Sequence, residues 1–137
     1  MPPTNDFNTD NPLYVIHPHH RNGMRTKSQW TIPQPEEMSC FSDSYLTIWR
    51  THGAGWGLHV INLTPNFLGI SKDQLRNLFI AKFVCKAGQQ EWHGYPADHQ
   101  IHTQDRPTTE ILNSWLNSNI LPAAKIRKIS KGQPCSL

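Results

Sequence analysis

No acidic residue follows Glu110 in this chain, whereas Lys125, Arg127, Lys128 and Lys131 crowd into that same end. The net charge of +3 is too small by itself to demand a polyanionic partner, so the placement of the bases says more than their number. Hydrophobic residues at 36% and charged residues at 17% both fall short of a typical globular share, and Pro, Asn, Gln, Ser, Thr and His fill the gap, which implies much loop. Cys40, Cys85 and Cys135 are odd in number, widely spaced and without a Cys-x-x-Cys pair, which argues against a disulfide framework and for a reducing compartment. No apolar run approaches the length of a bilayer span, and Met1-Pro2-Pro3-Thr4 lacks the basic and apolar regions of a signal peptide. The expectation is a soluble, cytoplasmic chain with no membrane partner. No repeat of 20 to 50 residues is visible, which excludes a solenoid or propeller. Gly53-Ala54-Gly55-Trp56-Gly57 lacks the Lys and Ser or Thr of a phosphate loop and reads as turn chemistry.

At 137 residues the chain is read as one domain, large enough to bury a core without a disulfide or metal staple. Pro2, Pro3, Pro12, Pro18, Pro33 and Pro35 all fall near the start. Residues 1–40 are therefore read as an irregular Pro/His-rich arm and residues 41–137 as the compact α+β domain. Within the arm, residues 13–16 lie between two prolines and predict an edge strand, while residues 17–40 predict loop. Residues 45–50 are aromatic and β-branched and predict a strand, hairpinned through Thr51-His52-Gly53-Ala54-Gly55 to an extended stretch at 56–63.

Ser71-Lys72-Asp73-Gln74 has the spacing of a capping box and predicts a helix over 72–78. A strand at 79–85, a turn at 86–89 and a partner strand at 90–95 follow, with Trp92 and Gly94 on one face and His93 and Tyr95 on the other. Arg106-Pro107 opens a helix on which Ile111, Leu112, Trp115 and Leu116 share a stripe, and Asn117-Ser118-Asn119 ends it. Pro122 opens another, which Lys131-Gly132 stops. The predicted class is α+β, a small antiparallel sheet of hairpins with a C-terminal helical hairpin and an irregular N-terminal arm.

Chemistry concentrates in residues 91–102, where His93, His99, His102, Asp98, Trp92 and Tyr95 gather around a Gly and a Pro. A zinc site would draw on His93, His99 and His102 with Asp98 or Cys85, but His-x5-His-x2-His matches no compact metal motif, and no metal or other cofactor is expected. Metal-free acid/base catalysis would draw on His93 with His52 and His59, with Arg50, Lys82 or Lys86 stabilising phosphate charge. Nucleic-acid binding would stack bases on Trp92 and Tyr95, with Trp49 and Trp56 as further candidates, and neutralise phosphates with Lys125, Arg127, Lys128 and Lys131. Trp56 and Trp115 are expected in the core instead. The helix pair at 107–130 has the outline of a helix-turn-helix, but its residues suit any amphipathic packing helix and no glycine marks its turn. His17-Pro18-His19-His20 is a chelating tract whose Pro-bounded loop suits adventitious binding.

The favoured reading is a small cytoplasmic binding module without catalysis, engaging nucleic acid or a nucleoprotein through the basic C-terminal helix and the Trp-His-Gly-Tyr-Pro loop. Its rival is a histidine-dependent, metal-independent hydrolase of ribonuclease type. A protein-only inhibitor or accessory subunit is the third class, using exposed aromatics as hot spots.

Overall fold

Alternation along two neighbouring strands decides how the layers stack. In the computed structural model, which describes residues 12–51, 53–85 and 90–137, strands β8 (Ile80–Cys85) and β9 (Glu91–Ala97) pair antiparallel with Val84 opposite His93 and Lys82 opposite Tyr95. Strand β4 (Ala54–Ile61) pairs on the other side of β8, and β1 (Leu13–Tyr14) lies parallel to β9. With β3 (Arg50–Thr51) at the far edge, the central sheet runs β1-β9-β8-β4-β3, and β5 (Thr64–Asn66) hairpins onto the end of β4. A second sheet joins β2 (Gln29–Trp30), β6 (Gly69–Ile70) and β7 (Asn77–Leu78). The class is α+β with mostly antiparallel strands, as predicted.

Each face of the central sheet collects its own core. Trp56, Leu58, Ile80 and Ala97 meet Ile111, Leu112 and Trp115 of α2 (Thr109–Asn117) and Ile126 and Ile129 of α3 (Ala123–Ser130). Ala81, Phe83 and Trp92 on the opposite face meet Cys40 and Phe41 of α1 (Gln34–Leu46), together with Trp30, Ile32 and Leu68. Trp56 and Trp115 are buried as expected, at 4% and 0% exposure. Gly55, read from sequence as a turn residue, instead lies within β4, as does Gly57, which the extended stretch predicted at 56–63 includes. A Cβ on Gly57 would come 3.1 Å from the Cys40 carbonyl oxygen, so its role is to admit α1.

Helix α1 is the largest departure from expectation. The prolines at 33 and 35 open it instead of marking loop, because a proline in the first helical turn forfeits no internal hydrogen bond, and Glu36 and Glu37 add charge of the favourable sign there. Tyr45 and Leu46 close this helix, so the predicted strand at 45–50 shrinks to Arg50–Thr51. The helix ends in a Schellman motif, with the Trp49 N–H donating to Ser44 O at 2.9 Å and Ile48 in the left-handed position at φ 60°. Residues 12–40 thus hold two short strands, a 3-10 turn at Pro18–His20 and half of α1, more regular structure than their proline content predicts. The predicted arm up to residue 11 lies outside the described residues.

The helix predicted at 72–78 is likewise absent. The Asp73 carboxylate accepts from the Leu75 N–H at 3.0 Å and from the Ser71 hydroxyl at 2.5 Å, while Ser71 Oγ accepts from the Arg76 N–H. These local bonds compete with helical ones and close the loop between β6 and β7. Strands β8 and β9 follow the prediction, and their connection at 86–89 lies outside the described residues. Both C-terminal helices form where predicted.

The N-terminal stretch is fastened to α1 by one buried carboxylate. Glu37, at 0% exposure, accepts from Arg21 Nη2 and Nε at 2.7 and 3.0 Å and from the Tyr14 hydroxyl. Arg21 Nη1 donates to the Ile32 carbonyl at 2.8 Å. Removing one partner of such a pair strands a buried charge, so Glu37→Ala is expected to lower unfolding stability by about 3–5 kcal/mol in a urea titration.

Candidate functional site

Asp105 builds the site. It belongs to the 3-10 turn Thr103–Asp105 and its carboxylate is 4% exposed. One oxygen accepts from the Tyr95 hydroxyl at 2.7 Å and the other from the Asp98 backbone N–H at 2.9 Å. Lys82 Nζ stands 3.9 Å away, donates to the Gln104 carbonyl and lies 5.5 Å from the Trp56 ring centre. The Asp105 carbonyl itself accepts from Trp56 Nε1 at 3.0 Å. Burial pulls the Lys82 amine below its usual range, with Asp105 opposing that shift, and burial beside Asp105 pushes the Tyr95 phenol well up.

Residues 98–105 and residues 20–28 together with Lys72 enclose a cleft of about 350 Å³, a size suited to a nucleotide-scale ligand. His20 stacks on the Tyr95 ring with centroids 5.3 Å apart and planes 18° apart. Its Nδ1 lies 2.8 Å from the Ser28 carbonyl oxygen, so that nitrogen carries the proton and Nε2 keeps its lone pair. Burial lowers the His20 pKa, opposed by the Ser28 bond, which favours neutral imidazole. His102, Gln104 and Pro96 complete the lining, and Ser28 Oγ donates to the Pro96 carbonyl at 2.7 Å.

The charge balance of the cleft follows from these bonds. Asp98 receives both Arg76 guanidinium nitrogens, at 2.9 and 2.5 Å, and Asp105 is bound as described. Among the described residues neither Lys27 nor Lys72 enters an ion pair, and both are exposed. Two carboxylates are answered internally and two amines face water at the rim.

The site residues named from sequence separate under this geometry. Tyr95 and His102 line the cleft, as does Asp98. His93 faces the same side of the sheet as Tyr95 and stands 5.5 Å from His17, centre to centre. His59 is five positions along β4 from Ala54, the residue level with His93 across β8, and points to the opposite face, so these two are roughly 17 Å apart along the strand. His52 lies outside the described residues. Trp92 is 8% exposed, packed against Phe41 and Tyr45, and offers no open face to a base.

His99 Nε2 meets the Gln133 carbonyl at 2.8 Å, away from His93, and among the described residues no three His, Cys, Asp or Glu groups are arranged to hold a metal ion. Ile126 and Ile129 turn α3 inward, leaving Arg127, Lys128 and Lys131 exposed and Lys125 half-buried. The end of α3 is docked on the cleft loop, because Arg106 donates to the His99 carbonyl at 2.9 Å and its guanidinium fills the space a Cβ on Gly132 would need.

No family model, curated protein or solved structure matches the chain. Of the cleft residues, Thr26, Lys27, Ser28, Lys72, Gln104 and Asp105 were not named as site residues from sequence, and His20 was named only within a chelating tract. The pattern His17-Pro18-His19-His20 was the available signal.

Asp105→Asn keeps the size of the side chain but removes the charge facing Lys82, and is expected to cost about 3 kcal/mol or more in stability by denaturant titration. The His99 pKa is lowered by burial, so the unfolded chain takes up the proton first as pH falls. Stability is expected to fall as pH drops below about 6.5, the unfolded histidine value, until the lower folded pKa is passed. Thermal melts of His99→Gln and wild-type protein across that window should show a shallower slope in the variant.

Proposed function

We propose that this chain is a small nucleic-acid-binding module that takes a phosphate-bearing strand into the cleft between residues 20–28 and 95–105. The observation that carries the reading is the charge balance: Asp98 and Asp105 are bonded internally, so Lys27 and Lys72 remain to meet an anion. Tyr95, already stacked by His20, and the neutral His20 ring supply a polar aromatic lining. The exposed Arg127, Lys128 and Lys131 of the α3 end form a second anchoring surface, joined to the cleft loop through His99 and Arg106. A cytoplasmic location is part of this reading, supported by three free thiols. Among the described residues no helix is long and apolar enough to cross a membrane.

A protein partner is the second reading. The tip of the β4–β5 hairpin supports it, since Leu63 is 90% exposed and Val60, Ile61 and Phe67 are exposed around it.

Anisotropy of a labelled single-stranded RNA across a salt series tests the proposal. The Lys27→Glu/Lys72→Glu variant is expected to bind at least tenfold more weakly, with the slope of log K against log salt reduced by about 1.4, two phosphate contacts on a single strand. Unchanged affinity and slope would remove the cleft from the interface. A complex with protein that survives high salt and nuclease would favour the second reading.

A further inference from the structure

The same cleft holds the parts of a proton-transfer site. Its two carboxylates are committed, Asp98 to Arg76 and Asp105 to Tyr95, the Asp98 N–H and Lys82. Its hydroxyls at Ser28 and Tyr95 give their protons to the Pro96 carbonyl and to Asp105, not to an imidazole. The groups left to move protons are His20 and His102, contributed by two separate stretches of chain. Among the described residues no hydroxyl or thiol is hydrogen-bonded to either ring, the Thr26 hydroxyl of the lining included.

A substrate that brings its own nucleophile fits this arrangement, and a ribonucleotide strand brings the 2′-hydroxyl beside each phosphodiester. We propose that the cleft cleaves RNA, with His20 as general base and His102 as general acid, and with Lys27 and Lys72 holding the phosphate. The inference rests on the nucleic-acid reading above. His20 Nε2 takes the proton of the 2′-hydroxyl, the 2′-oxygen forms a bond to phosphorus, and the bond from phosphorus to the 5′-oxygen breaks. That oxygen leaves with the proton of His102. The products are a 2′,3′-cyclic phosphate and a free 5′-hydroxyl, and no metal, oxidant or water is consumed.

The supporting geometry is specific to His20. The Ser28 carbonyl fixes the tautomer that leaves Nε2 able to accept, and stacking on Tyr95 fixes the plane of the ring. Burial keeps it in the basic, neutral form. The pH profile of kcat/KM is then a bell whose acid limb, set by His20, lies below the ordinary histidine value.

The test incubates one fluorescent RNA oligonucleotide and its all-deoxy counterpart with wild-type, His20→Gln and His102→Gln protein. Anisotropy and a denaturing gel are read on each sample, and circular dichroism checks folding. RNA should be cut to cyclic-phosphate ends while DNA is bound and stays whole. Each substitution should lower the single-turnover cleavage rate of bound RNA by about 100-fold or more. Should His20→Gln fail to fold, His102→Gln carries the same requirement. RNA that binds yet stays intact, or is cut equally fast by a folded variant, overturns the catalytic inference and leaves the binding module standing. Absence of binding overturns both.

Discussion

One buried carboxylate, Asp105, determines how the loop after β9 lies on the sheet. It gathers a phenol from β9, a backbone N–H from its own loop and an ammonium from β8, while its carbonyl takes the Trp56 indole from β4. Three adjacent strands are thereby tied to one turn. Lys82 and Tyr95 face the α2–α3 side of the sheet, where strand alternation would otherwise call for apolar residues, and Asp105 is what makes their burial tolerable. The cleft exists because this polar seam replaces hydrophobic packing at the end of the sheet.

Glu37 does the corresponding work on the other face. It draws Tyr14 from β1 and Arg21 from the loop beyond it onto the first turn of α1, and so carries the stretch from 12 to 28 across the edge of β9. His20, Lys27 and Ser28 then arrive beside Tyr95 and Pro96. Two buried acids on opposite faces, each satisfied by a base and a tyrosine, set the relative position of the two stretches that line the cleft.

Helix endings show what was legible in the sequence. The three α-helices among the described residues close with the same six-to-one backbone bond, Trp49 to Ser44, Ile120 to Trp115 and Gln133 to Lys128. The left-handed positions are Ile48, Asn119 and Gly132. Asn and Gly advertise that conformation, so the last two endings were readable, whereas a β-branched isoleucine advertises the opposite and steered residues 45–50 toward a strand. The spacing of Glu37, Cys40, Phe41 and Ser44 is helical, but a glutamate and a serine do not look like a buried face until Arg21 and the tight approach to Gly57 are known. In the site, Tyr95 and His102 were visible because they sit in a dense local cluster. Lys27 was not, and His20 was read only as part of a chelating tract, because their relation to that cluster is created by tertiary bonds alone. His99 and Trp92 looked equally chemical and turned out to hold the C-terminal end and the core.

The bond from Ser28 to Pro96 joins residues 68 positions apart. Closing so long a loop costs chain entropy that the local β8–β9 hairpin and the C-terminal helices do not meet. A ligand that touches both stretches binds only the finished molecule and stabilises it by mass action. Occupancy of the cleft is therefore a reading of whether residues 12–28 have found the loop after β9, and a chain with its helices and central strands in place but that stretch astray would look folded by its spectrum and be blind to the ligand.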